Sequence, residues 1–224
     1  MKVAILVFPG SNCDHDSYKV IEGMKNTKPE FVWHRENDLS KYDLIIVPGG
    51  FSYGDYLRAG AIAKFSPIME AVISESKKGK KIIGICNGFQ ILIESDLLPG
   101  ALINNNGVKF KSKVISLSTK NYNTAFTNKI PKDKEIFMPI AHRQGNYTAS
   151  DNLIKELQDN EQIAFTYSKS GGGNPNGSCL NIAGIFNKQK NILGMMPHPE
   201  RASDSILGSD DGLLIFKSIV EGIA

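Results

Sequence analysis

Three short apolar runs, each stopped by Gly or Pro, constrain the fold more than any other feature of the chain. Lys2 to Phe8 ends at Pro9-Gly10, Leu44 to Pro48 at Gly49-Gly50, and Lys81 to Ile85 at Cys86-Asn87-Gly88. They are rich in Ile and Val and do not alternate with polar residues, so both faces of each strand must be buried, as in a parallel sheet. Between them, helical spacing at Tyr18, Ile21 and Met24, and again at Ile68, Val72 and Ile73, supplies the crossover helices of right-handed βαβ units. Beyond about Pro99 the texture changes to shorter β-like stretches separated by Asn, Gly, Pro and Lys. These are Lys109 to Leu117, Ile163 to Tyr167, Asn181 to Phe186 and Ile192 to Met196. They read as additional strands with long surface loops, including a flexible one over Gly171 to Gly177, and an amphipathic helix through Leu213, Phe216, Ile219 and Val220 closes the chain. The expectation is an α/β fold with a mainly parallel central sheet, helices on both faces and extra strands in the second half. At 224 residues the chain fits one domain, 1–224.

Composition excludes several classes. With 41% hydrophobic and 22% charged residues the chain has apolar surface for a core and too little charge for disorder or a coiled coil. The net charge of +3 comes without a basic run, so no nucleic-acid partner is expected. No apolar stretch reaches the roughly 18 residues of a membrane span, and Val3 to Phe8 is too short for a signal peptide. Cys13, Cys86 and Cys179 cannot all pair, which points to a reducing cytoplasm.

Cys86 follows an apolar strand directly and precedes the apolar stretch Phe89 to Ile93, with Gly84 and Gly88 on either side. That is the pattern of a nucleophile elbow built around sulfur, in which the helix N-terminus favours the reactive thiolate. A base is offered by His198, in Met195-Met196-Pro197-His198-Pro199-Glu200-Arg201. Pro199 biases His198 toward extended backbone, and residues two apart in an extended segment face the same way, so Glu200 is placed to orient the imidazole. Oxyanion donors are suggested at the backbone N–H of Asn87 and in the Gly49-Gly50 turn. Each feature has a plainer reading: a core cysteine, a loop, a turn. Cys13-Asp14-His15-Asp16 resembles a metal cluster but lacks a second Cys/His pair at zinc spacing, so no metal is expected. Phosphate-loop and dinucleotide motifs are absent. His142 is either a packing residue or a wall of the site.

With these residues assembled, the chain resembles the class I glutamine amidotransferases, whose G-x-C-x-G-x-Q elbow matches Gly84 to Gln90 and whose H-x-E matches His198 to Glu200. The blocks Phe8 to Asp14, Pro48 to Gly60, Asn174 to Ser178 and Met195 to Arg201 are similar to members that work as a separate glutaminase subunit. The resemblance implies a flavodoxin-like domain that hydrolyses glutamine with Cys86, His198 and Glu200, and contacts it through Gly49, Gly50, Phe51, Asn87 and Gln90. It further implies no cofactor on this chain. ATP and Mg would belong to a partner, a synthetase subunit of purine biosynthesis that receives the ammonia and works with a small accessory subunit. Where the pattern has His-Gly-Glu-Gly-Arg, this chain has His142-Arg143-Gln144-Gly145-Asn146. The alternatives are a cysteine hydrolase or peptidase on the same sheet, or a non-catalytic flavodoxin-like binding module.

Overall fold

The structure is a computed structural model and describes residues 1–222. In chain order its elements are β1 (Lys2–Val7), α1 (Asp14–Glu22), β2 (Lys28–Trp33), β3 (Leu44–Val47), α2 (Pro67–Lys77), β4 (Lys81–Ile85), α3 (Asn87–Glu94) and β5 (Ala101–Ile103). There follow β6 (Lys111–Thr119), β7 (Ile136–His142), β8 (Asn146–Thr148), α4 (Asp151–Asp159), β9 (Ile163–Tyr167), β10 (Ile182–Phe186), β11 (Ile192–Met195) and α5 (Leu213–Glu221). Eight strands and β7 form one nine-stranded sheet in the order β2-β1-β3-β4-β11-β10-β9-β6-β7, and β5 pairs with β8 in a small second sheet.

From β2 through β11 the neighbours run parallel, and from β11 to β7 they run antiparallel. The three apolar runs are the centre of the parallel part. Val3 to Leu6 and all four residues of β3 are fully buried, each side chain contributing about 1.5–3 kcal/mol through its removal from water. Of the four strands hidden from the sequence reading, β5 and β8 make the small sheet, and β2 and β7 contain Pro29 and Pro139. The latter pair are the two edges of the nine-stranded sheet, the places where a residue without an N–H costs no ladder hydrogen bond. The expected long surface loops also conceal α4, started by Ser150, whose Oγ accepts from the Leu153 N–H at 3.3 Å.

What this topology does for function is bring two chain ends together. β4 and β11 are parallel neighbours with Gly84 opposite Gly194 and Ile85 opposite Met195. Both therefore finish on the same rim, and the residues just beyond them, Cys86 and Pro197-His198, emerge side by side. The Cys86 N–H donates to Met195 O at 2.8 Å, and the His198 N–H to Pro139 O at 2.9 Å, which ties the second segment to the edge strand β7 as well.

Candidate active site

Cys86 sits at φ +50°, ψ −104°, between β4 and the first turn of α3. A side chain at positive φ is strained, and such strain persists only where surrounding structure enforces it. Here the enforcement comes from glycines. A Cβ on Gly88 would lie 1.8 Å from Val47 O, and one on Gly84 2.4 Å from Leu92 Cδ1, so only glycine lets α3 begin hard against β3 and β4. The Cys86 sulfur is buried and lies 3.7 Å from the carbonyl oxygen of Ala141. Asn87 rivets the elbow to the next loop: its Oδ1 accepts from the Ser52 N–H at 3.0 Å, and its Nδ2 donates to Gln90 Oε1 at 2.9 Å and Asp55 Oδ1 at 3.3 Å. Its own backbone N–H lies in the first turn of α3, where no intrahelical acceptor exists.

His198 and Glu200 meet through Nδ1 and Oε1 at 2.6 Å, both fully buried. The route differs from the sequence expectation. His198 is extended, but Pro199–Arg201 is a 3₁₀ turn, so Glu200 curls back beneath the ring instead of following it along a strand. Burial works against a charged imidazole here. The Glu200 carboxylate and the Cys86 sulfur outweigh it, and together with the nearby Cys13 sulfur they hold the His198 pKa well above its ordinary value. With Nδ1 committed to Glu200, Nε2 is the ring atom left without a protein hydrogen bond. Gly49 serves the ring directly: a Cβ there would lie 2.8 Å from His198 Cε1.

The remaining residues expected around substrate are placed unevenly. Gly50 has φ +134° and turns the chain after β3 against Asn12. The Phe51 N–H already donates to Gly10 O at 3.1 Å, and its side chain is partly exposed. Gln90 points inward with its amide engaged at both ends, receiving Asn87 Nδ2 and donating to Gln144 O at 2.5 Å. Asp55, beside Asn87, is pushed up to about 6 by burial.

The His142–Asn146 block is pinned by a buried polar network, and so is the far end of the Gly171 to Gly177 loop, which was expected to be flexible. Asn105 donates through Nδ2 to Lys109 O and His142 O, so its Oδ1 is the acceptor for both the Gly145 N–H and His142 Nδ1. His142 is thereby a neutral Nδ1–H tautomer. Burial, reinforced by the positive charge of nearby His198, pushes its pKa down to about 4. Asn176 donates to Gly145 O at 2.7 Å and Tyr167 Oη at 3.1 Å, and Ser178 Oγ also reaches Gly145 O. Gln144 Oε1 accepts from the Ala59 N–H at 3.1 Å, an acceptor role that the glutamate of the usual pattern would fill equally well. His142 is thus both a packed residue and part of the wall.

Sequence reasoning read Cys13 only as part of a metal-like run with Asp14, His15 and Asp16 and missed its place beside the triad. Cys13 caps the start of α1, and its sulfur, a His198 ring nitrogen and a Glu200 carboxylate oxygen all lie within 4.8 Å of one another. These are donors a soft cation could use, but the cation present is Arg201, whose Nη2 donates to Cys13 Sγ at 3.2 Å. Asp14, His15 and Asp16 do not join that cluster. A groove of about 1580 Å³, with Lys19, Lys81 and Lys217 on its walls, reaches Glu200 without reaching Cys86. The chemistry is therefore located by the elbow and not by this groove.

Residues 1–210 match the model of the CobB/CobQ-like glutamine amidotransferase domain. The chain belongs to that family. In the structure of PurLQS from Thermotoga maritima, a chain with 41% sequence identity superposes at a TM-score of 0.90, covering 100% of this chain and 99% of that one. More distant glutamine amidotransferases share the fold. The glutaminase domain of Trypanosoma brucei CTPS with bound acivicin gives a TM-score of 0.62 at 12% identity, covering 99% of this chain and 94% of that one. A Thermotoga maritima glutamine amidotransferase gives 0.58 at 15%, covering 99% and 90%. Among the described residues no helix is long and apolar enough to cross a membrane.

Proposed function

We propose that this glutamine amidotransferase is the glutaminase subunit of phosphoribosylformylglycinamidine synthase, acting as one domain over 1–224. The observation that carries the reading is the strained Cys86 elbow facing a buried His198–Glu200 pair, in a chain that matches its PurLQS relative end to end. In the proposed reaction the Cys86 thiolate attacks the side-chain amide carbon of glutamine. The carbonyl electrons move to oxygen, stabilised by the Asn87 N–H and an amide of the Gly49-Gly50 turn. Collapse breaks the C–N bond as His198 Nε2 protonates the leaving nitrogen, giving ammonia and a γ-glutamyl thioester. Water, deprotonated by His198, then cleaves the thioester to glutamate and restores the thiolate. Glu200 keeps the imidazole oriented and charged.

Glutamine would lie between Cys86 and the Gly49–Phe51 turn. Gln90 contributes by fixing Asn87 and Gln144, since its amide is already engaged. The ammonia would pass to a cytoplasmic synthetase subunit that binds ATP and Mg, works with a small accessory subunit, and converts formylglycinamide ribonucleotide to formylglycinamidine ribonucleotide. Membership of the amidotransferase family removes the ground for a peptidase or a silent binding module. The test is glutamine-dependent product formation by the reconstituted complex. Cys86→Ala should abolish it while ammonia-dependent synthesis persists, and loss of both in a folded variant would overturn the division of labour.

A further inference from the structure

Glu200 presents an unexpected asymmetry. Its Oε1 bonds His198, but its Oε2 is buried with no hydrogen-bond partner, although the next residue in the chain is an arginine. The Arg201 guanidinium turns elsewhere: Nη2 donates to Cys13 Sγ at 3.2 Å and Nε to Asp16 Oδ2 at 3.1 Å. Cys13 Sγ is itself wedged in place, within 4.8 Å of the His198 and Glu200 ligating atoms and within 3.2 Å of where a Gly49 side chain would begin. We infer that Cys13 is a positioning residue for the triad, its sulfur holding the Arg201 guanidinium off Glu200 so that the carboxylate hydrogen-bonds His198 and not the arginine.

The physics favours sulfur in this position. A guanidinium that reached both oxygens of Glu200 would make the strongest type of protein ion pair and draw charge off the oxygen that faces the imidazole. A thiol is a weak acceptor, enough to tether one N–H without removing Arg201's charge. Burial, with Glu200 nearby, pushes the Cys13 thiol up, so it does not compete as a second anion. The other titratable groups acting on His198 are Cys86 from the elbow and His142 of β7, while Asp16 of α1 faces Arg201 and already binds it. This inference rests on the glutaminase reading of the site.

The test is the pH profile of kcat/KM for glutamate release, whose upper limb follows loss of the His198 imidazolium. Cys13→Ala frees the guanidinium to reach Glu200, so the limb should move about one unit toward lower pH, the size of shift a redirected neighbouring charge produces. Adding Arg201→Gln to Cys13→Ala should return the limb to the parent position. Cys13→Ser, which restores an acceptor, should also keep it there. An unshifted limb in Cys13→Ala, or a double variant as shifted as the single, would overturn the inference. If Cys13→Ala does not fold, Arg201→Gln alone decides: the limb should stay at or above the parent's, and a fall would mean that Arg201 supports Glu200 directly. Continued glutamate release by Cys86→Ala would instead defeat the glutaminase reading itself, a separate outcome.

Discussion

Gly49 and His198 constrain each other at the scale of single residues, because the imidazole occupies the space where any side chain on residue 49 would begin. Gly49→Ala should therefore displace the ring, lowering kcat about 10²-fold or more as general acid–base catalysis is lost while the protein stays folded by circular dichroism. Glu200→Gln preserves size but removes the charge that keeps His198 protonated, so its kcat/KM profile should lose activity first at the alkaline end. His142 gives a stability prediction. It remains neutral in the fold down to about pH 4, whereas in an unfolded chain it titrates near 6.5. Its contribution is whole above that upper value and is lost as pH falls toward the lower one, because the unfolded chain then binds a proton the fold excludes. The loss amounts to at most about 3.5 kcal/mol at about 1.4 kcal/mol per unit. Denaturant midpoints measured across this window should fall less steeply for His142→Gln than for the parent. Asp55, raised to about 6, pulls the opposite way in both and cancels from the comparison.

At the scale of elements the elbow is the least tolerant part of the molecule. Gly88→Ala puts a methyl into the carbonyl of Val47, and since neither β3 nor α3 can retreat from a fully buried contact, the variant should unfold or become insoluble, a loss above about 3 kcal/mol. The elements also show what a sequence exposes and what it hides. β1, β3 and β4 were legible because burial on both faces leaves an unbroken apolar run, and Cys86 because an elbow needs its two glycines. β2 and β7 were not, since a proline is a poor strand signal unless one knows that the strand lies at an edge. Glu200 was expected beside His198 by an extended-strand argument that the 3₁₀ turn at Pro199–Arg201 does not obey; the carboxylate reaches Nδ1 by a different route. The local run around Cys13 resembled a metal cluster and gave no hint of the triad. The cysteine is 185 residues from His198, and only the parallel order β1-β3-β4-β11 carries the loop after β1 to the rim where β11 ends.

For the whole molecule the question is how ammonia release is matched to its use. The His142–Asn146 wall does not wait for a partner, because it is already pinned. The segment after Gly50 is a better candidate for control. Its backbone is left-handed at Tyr53, Gly54, Asp55 and Leu57, and it is held to the elbow through Asn87, by the Ser52 N–H and Asp55 Oδ1, and to the far end of α3 by the Arg58–Glu94 pair. Further along, Tyr56, Leu57 and Phe65 are strongly exposed, with Leu57 at 82%. A synthetase surface that covered these apolar side chains would move the same loop that anchors Asn87, whose N–H is the proposed oxyanion donor, and one such donor is worth about 10²–10³ in rate. The lone chain should accordingly release glutamate slowly, and the synthetase loaded with formylglycinamide ribonucleotide and ATP should accelerate it by at least that factor. Leu57→Ser should leave the slow basal rate intact and weaken the acceleration. Glutamate assays on the chain alone, with synthetase, and with synthetase plus its substrates decide the matter: equal turnover in all three would mean that the loop is set without a partner and that the subunit hydrolyses glutamine on its own account.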